Sequence, residues 1–298
     1  MKRLIFIFII LSVFTYAAEY EVIDVHGKVH KLNKSYKRII SLYPAHTEIL
    51  KEIGAVSKVV GSTADRGSKL EEGMVEFKLG DSVEKYLSLR PDLVLVRPMV
   101  ENKYENLIAV LKSRGVEVIS LHPKTSSELE GYWKAIGQLS GETQGASRYI
   151  GDFHSRLEEL KKKDTAVRKK VFFEARYNRG IYTNAKNSIA SWVLETSGVD
   201  NIFEEESPTG STIIPIKHEK LLSKGDDIDI YIAQKGTMNR RSYKDIDRSS
   251  GYQLIKAVRN GMIIILDEKV MSRPTSKILD AVEEIKKYQE DNLGVIER

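Results

Sequence analysis

The sequence contains no cysteine in its 298 residues. This absence excludes disulfide bonds, thiolate metal sites and thiol catalysis. It also excludes attachment to a membrane through a lipidated cysteine. We therefore expect a soluble mature protein without a lipid anchor.

Long apolar runs are also absent, except at the N-terminus. Lys2 and Arg3 precede a run from Leu4 to Phe14 that is apolar apart from one serine, and small residues follow up to Ala17. A membrane-spanning helix needs about 20 apolar residues, so this run fits a cleavable secretory signal better than an anchor. We predict that residues 1–17 are a signal peptide and that the protein works in the periplasm.

The chain has no large excess of charge of either sign. Its 47 basic and 42 acidic residues are interleaved along the sequence. A nucleic-acid partner would require a basic stripe, and none is present. The composition therefore points away from nucleic acid.

Motifs for catalysis and for metal binding are missing as well. The sequence has no Gly-x-Ser-x-Gly, no His-Glu-x-x-His and no glycine-rich phosphate loop. Carboxylate pairs at a spacing suited to general acid–base work are also absent. We predict that the protein is not an enzyme, holds no cofactor and builds no metal site of its own.

Strand and helix patterns alternate along the whole chain, which is typical of α/β proteins with parallel sheets. A β-hairpin is predicted over 18–35, an α/β lobe over 36–140 and a second lobe over 166–298. Between the lobes, residues 144–163 have a helical period without any strand signal. We predict two lobes with mainly parallel sheets joined by a single long helix within 141–165.

Four segments resemble a known family in their order and spacing. Residues 38–50 read RIISLYPAHTEIL, residues 83–94 contain VEK followed by LRPDLV, and residues 188–203 contain SI, VLE and GVDNIF. The fourth, residues 226–232, resembles a "P-D-I-hydrophobic" strand that has lost its proline. The chain resembles the cobalamin, ferric-siderophore and haem periplasmic binding proteins, the helical-backbone class of solute-binding proteins of ABC importers.

The resemblance implies a monomer that captures a small-molecule metal chelate and delivers it to a membrane permease. It also implies a bilobal fold whose stiff connecting helix allows only modest closure. One glutamate per lobe would dock on the permease, and the matching positions are Glu84 and Glu195.

Ligands of open α/β sheets bind outside the carboxyl ends of the strands, so residues just after the predicted strands are candidates for ligand binding. Arginine is frequent among them, and its planar guanidinium suits carboxylate, phosphate or catecholate oxygens. The candidates are Tyr43, His46, Arg66, Arg97, Arg176, Tyr177, Lys235 and Arg273. Arg179, Arg240 and Arg241 lie further from strand ends and are weaker candidates.

The arginines favour an anionic ferric chelate, and haem, cobalamin and small oxyanions remain alternatives. Tyr43, His46 and His122 could each ligate the iron of a bound chelate or haem. Trp133 and Trp192 lie inside predicted helices as packing residues, which weakens the hypothesis that the ligand is cobalamin. An enzyme of the same architecture, such as a metal chelatase, is the alternative function.

Overall fold

The computed structural model describes residues 20–65, 68–162 and 168–292. The predicted signal peptide and the candidate ligand residue Arg66 lie outside these ranges. Within them the chain forms two α/β lobes with mainly parallel sheets on either side of a long helix, which confirms the predicted fold class.

The first lobe follows an antiparallel hairpin of β1 (Tyr20–Ile23) and β2 (Val29–Leu32). Its elements are β3 (Ile39–Ser41), α1 (Pro44–Glu52), β4 (Val59–Ser62), β5 (Val75–Glu76), α2 (Val83–Ser88), β6 (Leu93–Val96), α3 (Pro98–Lys103), α4 (Glu105–Ser113) and β7 (Glu117–Ser120). The five strands β3 to β7 form one parallel sheet in the order β5-β4-β3-β6-β7. All their carboxyl ends therefore point to one edge.

Both faces of this sheet are covered. Leu93 and Leu95 belong to one apolar cluster, and Val94 and Val96 belong to another on the opposite face. All four are fully buried. This explains why β6 is a continuous apolar run, since successive side chains of a strand point to opposite faces.

After α5 (Leu129–Ser140), which packs on the first lobe, α6 (Thr143–Lys161) connects the two lobes. With 19 residues, α6 is the longest helix in the described part of the chain, as its period predicted. Like the other described helices, it lacks the apolar length that crossing a bilayer requires. Its buried stripe includes Tyr149, Phe153 and Leu157 and joins the core of both lobes.

The second lobe contains β8 (Lys169–Glu174), β9 (Arg176–Tyr177), β10 (Ile181–Asn184), α7 (Ile189–Thr196), β11 (Val199–Asn201), β12 (Ile213–Ile216), α8 (His218–Ser223), β13 (Ile230–Lys235), α9 (Tyr243–Asp247), α10 (Lys256–Arg259), β14 (Ile263–Asp267), α11 (Glu268–Met271) and α12 (Ile278–Asp291). Four strands form a parallel sheet in the order β11-β8-β13-β14. The other three form an antiparallel sheet in the order β12-β10-β9.

That antiparallel sheet was not predicted. Its hairpin turns at Arg179 and Gly180, both at positive φ, and its edge strand β12 contains Pro215. Proline is tolerated at such an edge but hides the strand pattern. Residues 251–258 do not form one continuous helix, because buried Ile255 is extended and separates a 3-10 turn from α10.

Candidate functional site

A cleft lies between the lobes at the carboxyl ends of both parallel sheets. It has an outer chamber of about 620 Å³ and an inner chamber of about 160 Å³. The two chambers share four lining residues: Tyr43, Arg97, Met238 and Ser272. They are therefore two parts of one cleft, with walls from both lobes.

The outer chamber has an apolar and aromatic surface with charged groups around it. Its apolar lining is Leu42, Tyr43, Pro44, Ala64, Phe77, Leu79, Met99, Val100 and Met238. Its charged lining is Asp65, Glu76, Lys78, Arg97, Glu268 and Arg273. Three acids and three bases line it, so the cleft is less cationic than the sequence predicted.

Tyr43 and Arg97 form the centre of the N-terminal wall. Tyr43 follows β3 and precedes α1, and Arg97 follows β6 and precedes α3, whose first residue is Pro98. The guanidinium carbon of Arg97 lies 4.7 Å from the centroid of the Tyr43 ring. Among the described residues, no carboxylate forms an ion pair with Arg97, and its buried Nε has no hydrogen-bond partner. Arg97 is therefore available to a ligand.

His46 lies behind this wall and does not line either chamber. Its side chain is fully buried, and the ring packs edge-on against Tyr43 with centroids 5.2 Å apart. Nε2 is 3.0 Å from the Leu121 carbonyl oxygen, to which it donates. Burial lowers the pKa of His46 to about 3, so the ring is neutral. This arrangement supports Tyr43 from below and leaves no route from the ring to a bound metal.

His122 follows β7 and lines the inner chamber. Its ring centroid is 5.8 Å from that of Tyr43. Burial, together with the charges of Arg97 and Lys124, lowers the pKa of His122 to about 4. Its Nδ1 atom is buried without a hydrogen-bond partner among the described residues.

Arg273 lines the outer chamber, but its guanidinium is already paired with two carboxylates of the other lobe. Its NH1 and NH2 groups donate to the two oxygens of Asp65 at 2.9 and 2.7 Å, and NH1 also donates to Glu48. Lys277 forms a further ion pair with Glu48 at 3.2 Å. These four side chains form one cluster of ion pairs between the lobes. Arg273 therefore holds the lobes together.

The structure does not bring the other predicted residues of the second lobe into either chamber. Arg176 stacks on Tyr182, with its guanidinium carbon 3.7 Å from the ring centroid. Tyr177 lies at a separate surface pocket beside Arg241, and Lys235 is exposed at the end of β13. Their strands end at the correct edge, but the β9–β10 hairpin turns Arg176 and Tyr177 away from the cleft.

Arg241 is buried and paired with Glu174, which is fully buried at the end of β8. The Glu174 carboxylate also accepts from Tyr231 and Asn239. The Arg241 guanidinium lies near the rings of Tyr177 and Tyr252. This network anchors the loop after β13 in the second lobe.

Arg179 and Arg240 are exposed and do not line the chambers.

Met238 is a cleft residue that the sequence did not indicate. It lies on the loop after β13 and is 39% exposed, and its backbone N–H donates to Glu268 at 3.1 Å. Phe173, Gln234 and Ser272 also line the inner chamber. No charge or motif marks these residues, and only their position after or near strand ends could have suggested them.

The two tryptophans pack inside the protein, as predicted. Trp133 is fully buried, its ring is close to those of Tyr149 and Phe153, and its N–H donates to the Pro274 carbonyl oxygen. Trp192 stacks on Phe153. Neither residue lines a cleft chamber.

Glu84 and Glu195 are exposed, one in each lobe. Glu84 is exposed in the first turn of α2, and Glu195 is exposed in the last turn of α7. Hydrogen bonds from its own backbone N–H and from the Ser82 hydroxyl lower the pKa of Glu84. Both carboxylates are therefore accessible on the surface, and their role in docking stays a prediction.

Comparisons with known proteins agree with this architecture. Residues 39–270 match the family described as "Periplasmic binding protein". The chain is 27% identical over 262 residues to the "Uncharacterized ABC transporter substrate-binding lipoprotein YvrC" of Bacillus subtilis, covering 85% of this chain and 80% of that protein. It is also 27% identical over 256 residues to the "Vitamin B12-binding protein" of Vibrio cholerae, covering 85% and 88%.

A solved structure from Staphylococcus epidermidis, described as a possible iron-binding (periplasmic solute-binding) protein, has a TM-score of 0.72. The two sequences are 24% identical, and the structural match covers 86% of this chain and 99% of the Staphylococcus epidermidis chain. This likeness concerns the fold. The family match extends over most of the chain and over both lobes that form the cleft. The chain belongs to the periplasmic binding protein family.

Proposed function

We propose that the protein is the substrate-binding component of an ABC importer and carries a metal chelate in its interlobe cleft to a membrane permease. The observation that carries this proposal is the outer chamber, which opens between the lobes and is lined by both. Its volume lies within the range of about 300–1,000 Å³ that is usual for small-molecule sites. The names of the related proteins describe ligand binding. These names do not favour the alternative function of a cleft enzyme.

The lining of the cleft favours a bulky metal-centred macrocycle over a polyanionic siderophore. The sequence favoured an anionic ferric chelate because of its many arginines. In the structure Arg273 and Arg241 are paired with carboxylates, and Arg176 lies outside the chambers. The remaining lining, with Tyr43 and the exposed side chains of Met99 and Met238, suits a large apolar face. Since related proteins are named for vitamin B12, we propose a ligand of the cobalamin or haem class.

Ligand binding can be tested with purified mature protein and a panel of cobalamin, haem and ferric catecholate, titrated with tryptophan fluorescence as the readout. We expect cobalamin or haem to bind the unaltered protein. Met238→Arg should weaken this binding at least tenfold, because the new side chain fills the chambers that Met238 lines. Leu254→Arg is the matched control, since Leu254 is an exposed apolar residue of the same lobe outside the cleft. Tight binding of the catecholate alone would overturn the proposed ligand class.

Delivery to the permease is proposed to use Glu84 and Glu195. The double variant Glu84→Ala/Glu195→Ala should lose uptake by cells and keep its affinity for the ligand, because both carboxylates lie outside the cleft. Glu219→Ala, an exposed glutamate in the first turn of α8, is the control and should keep uptake. A lower ligand affinity of the purified double variant would contradict the docking role.

We also propose that the protein is exported and is not anchored to a membrane. Residues 1–17 would be removed by signal peptidase, and the chain has no cysteine to carry a lipid, unlike the lipoprotein relative. Mass spectrometry of the protein isolated from a periplasmic fraction should find Ala18 as the first residue. Recovery of the chain only with membranes would contradict an unanchored form.

A further inference from the structure

The inner chamber differs from the outer chamber in its charge. No aspartate or glutamate of the described residues lines the inner chamber, whereas Asp65, Glu76 and Glu268 line the outer one. Three residues with side-chain nitrogen atoms line the inner chamber: Arg97 and Lys124, which are positively charged, and His122, which its lowered pKa keeps neutral. All three come from the first lobe, and they face the second lobe across the chamber.

Two buried donor or acceptor atoms of this wall have no partner. These are Nε of Arg97 and Nδ1 of His122. Buried polar atoms are hydrogen-bonded in the great majority of cases, and an unpaired one has a free-energy cost. A ligand that supplies oxygen atoms to this wall would remove that cost.

The carboxylate nearest to these groups does not compete for the chamber. Glu128 exerts its charge on His122, but its Oε2 atom accepts from the backbone N–H groups of Lys124 and Thr125 at 2.6 and 3.4 Å. Together with Thr125, Glu128 forms a capping box at the start of the short 3-10 helix Ser126–Glu128, which precedes α5. The positive charge of the chamber wall is therefore not neutralised by Glu128 from within the chamber.

The size of the inner chamber limits what can enter it. Its volume of about 160 Å³ corresponds to about five water molecules at roughly 30 Å³ each. A macrocycle does not fit such a space, but a carboxyalkyl arm or a phosphate group does. Ser188, Gln234 and Ser272 of the second lobe add polar surface opposite the cations.

We propose that the inner chamber binds a pendant anionic group, a carboxylate or a phosphate, of a ligand whose metal-centred body occupies the outer chamber. This inference rests on the proposed function. Arg97 is the main contact, because it lines both chambers and stacks on Tyr43, and His122 and Lys124 lie beside the same group. The ligand is thus oriented with its anionic arm toward the base of the cleft.

The test uses two pairs of probes that differ only in the anionic group: haem and its dimethyl ester, and cobinamide phosphate and cobinamide. For at least one pair, we expect the unaltered protein to bind the anionic member about tenfold or more tightly than the neutral one. Arg97→Met should abolish this preference, because it should weaken binding of the anionic member about tenfold more than binding of the neutral member. Arg97→Lys should restore part of the preference.

Arg176→Met is the matched control, because Arg176 also stacks on a tyrosine and has a buried unpartnered Nε but lies outside the chambers. It should keep the preference. Equal binding of both members of every pair, or a preference that survives Arg97→Met, would overturn this inference and leave the proposed function standing. Failure to bind any of the four probes would overturn both.

Discussion

At the scale of single residues, His46 shows how a buried ring supports the ligand wall. Burial lowers its pKa to about 3, from 6.5 for a histidine in water. The unfolded chain therefore binds one proton more than the folded protein between these two pH values. The stability that this residue provides is complete above pH 6.5 and is lost as the pH falls below it.

We expect acidification from pH 7.5 to 5.0 to lower the free energy of unfolding by about 2 kcal/mol through His46 alone, since each pKa unit corresponds to about 1.4 kcal/mol. His122 acts in the same direction because its pKa is also lowered. Urea unfolding at the two pH values measures the loss. In His46→Gln the loss should be smaller by about the same amount, and an unchanged loss would contradict this assignment.

The buried pair of Glu174 and Arg241 gives a second prediction for individual side chains. Glu174→Ala leaves a guanidinium buried without its carboxylate, which typically costs about 3–5 kcal/mol. Chemical denaturation should show this loss. Glu158→Ala is the control, because Glu158 is 67% exposed in its ion pair with Lys161. Exposed pairs contribute about 0–1 kcal/mol, and equal losses in the two variants would contradict the role of the buried network.

At the scale of elements, two glycines of α6 have opposite roles. A Cβ on Gly145 would lie 2.0 Å from the carbonyl oxygen of Ile53, just after α1, whereas a Cβ on Gly151 would have no neighbour within 4 Å. Gly145 thus permits the close approach of α1 and the connecting helix. Gly151 has no such contact and only lowers the helix propensity.

We therefore expect Gly145→Ala to lower the free energy of unfolding by about 1–3 kcal/mol, because backbone atoms must move apart. Gly151→Ala should raise it by about 0.5–1 kcal/mol through helix propensity. Thermal and urea unfolding of the two variants measure both effects. Changes of the same sign would show that the approach of α1 does not determine the packing of α6.

At the scale of the whole molecule, the lobes are joined by more than the connecting helix. In the segment after α11, Arg273 binds Asp65 and Glu48, Pro274 accepts from Trp133, and the Ser276 N–H donates to Tyr149. These contacts reach α1, α5 and α6. They tie the second lobe to the first, and the modest closure expected for a helical connection stays a prediction.

Arg273→Met should loosen this restraint and let the cleft open further. We expect faster hydrogen exchange in residues 273–277, a larger radius of gyration in X-ray scattering and a ligand affinity lowered by about tenfold or more. Arg156→Met is the control, because Arg156 also pairs with two carboxylates, Asp280 and Glu283, but joins α6 to α12 away from the cleft. Equal effects of the two variants would indicate a general loss of stability instead.

The sequence alone determined the alternation of strands and helices, the two lobes and the long helix between them. These features follow from periodicity: continuous apolar runs such as β6 and the helical stripe of α6 are local patterns. The positions of Tyr43 and Arg97 were predictable too, because each directly follows a strand in a parallel sheet. Both residues line the cleft in the structure.

Only the tertiary structure decided which strand-end residues face a ligand. Arg273 and Arg97 look alike in the sequence, but Asp65 and Glu48 come from distant positions to pair with Arg273. His46 also follows a strand, yet α1 turns its ring into the core. Partners that are far apart along the chain determine whether a charge is free, and no local pattern encodes them. For this reason the sequence predicted a cationic cleft, whereas the outer chamber of the folded protein is lined by as many acids as bases, and Arg97 is the one cleft arginine without an ion pair among the described residues.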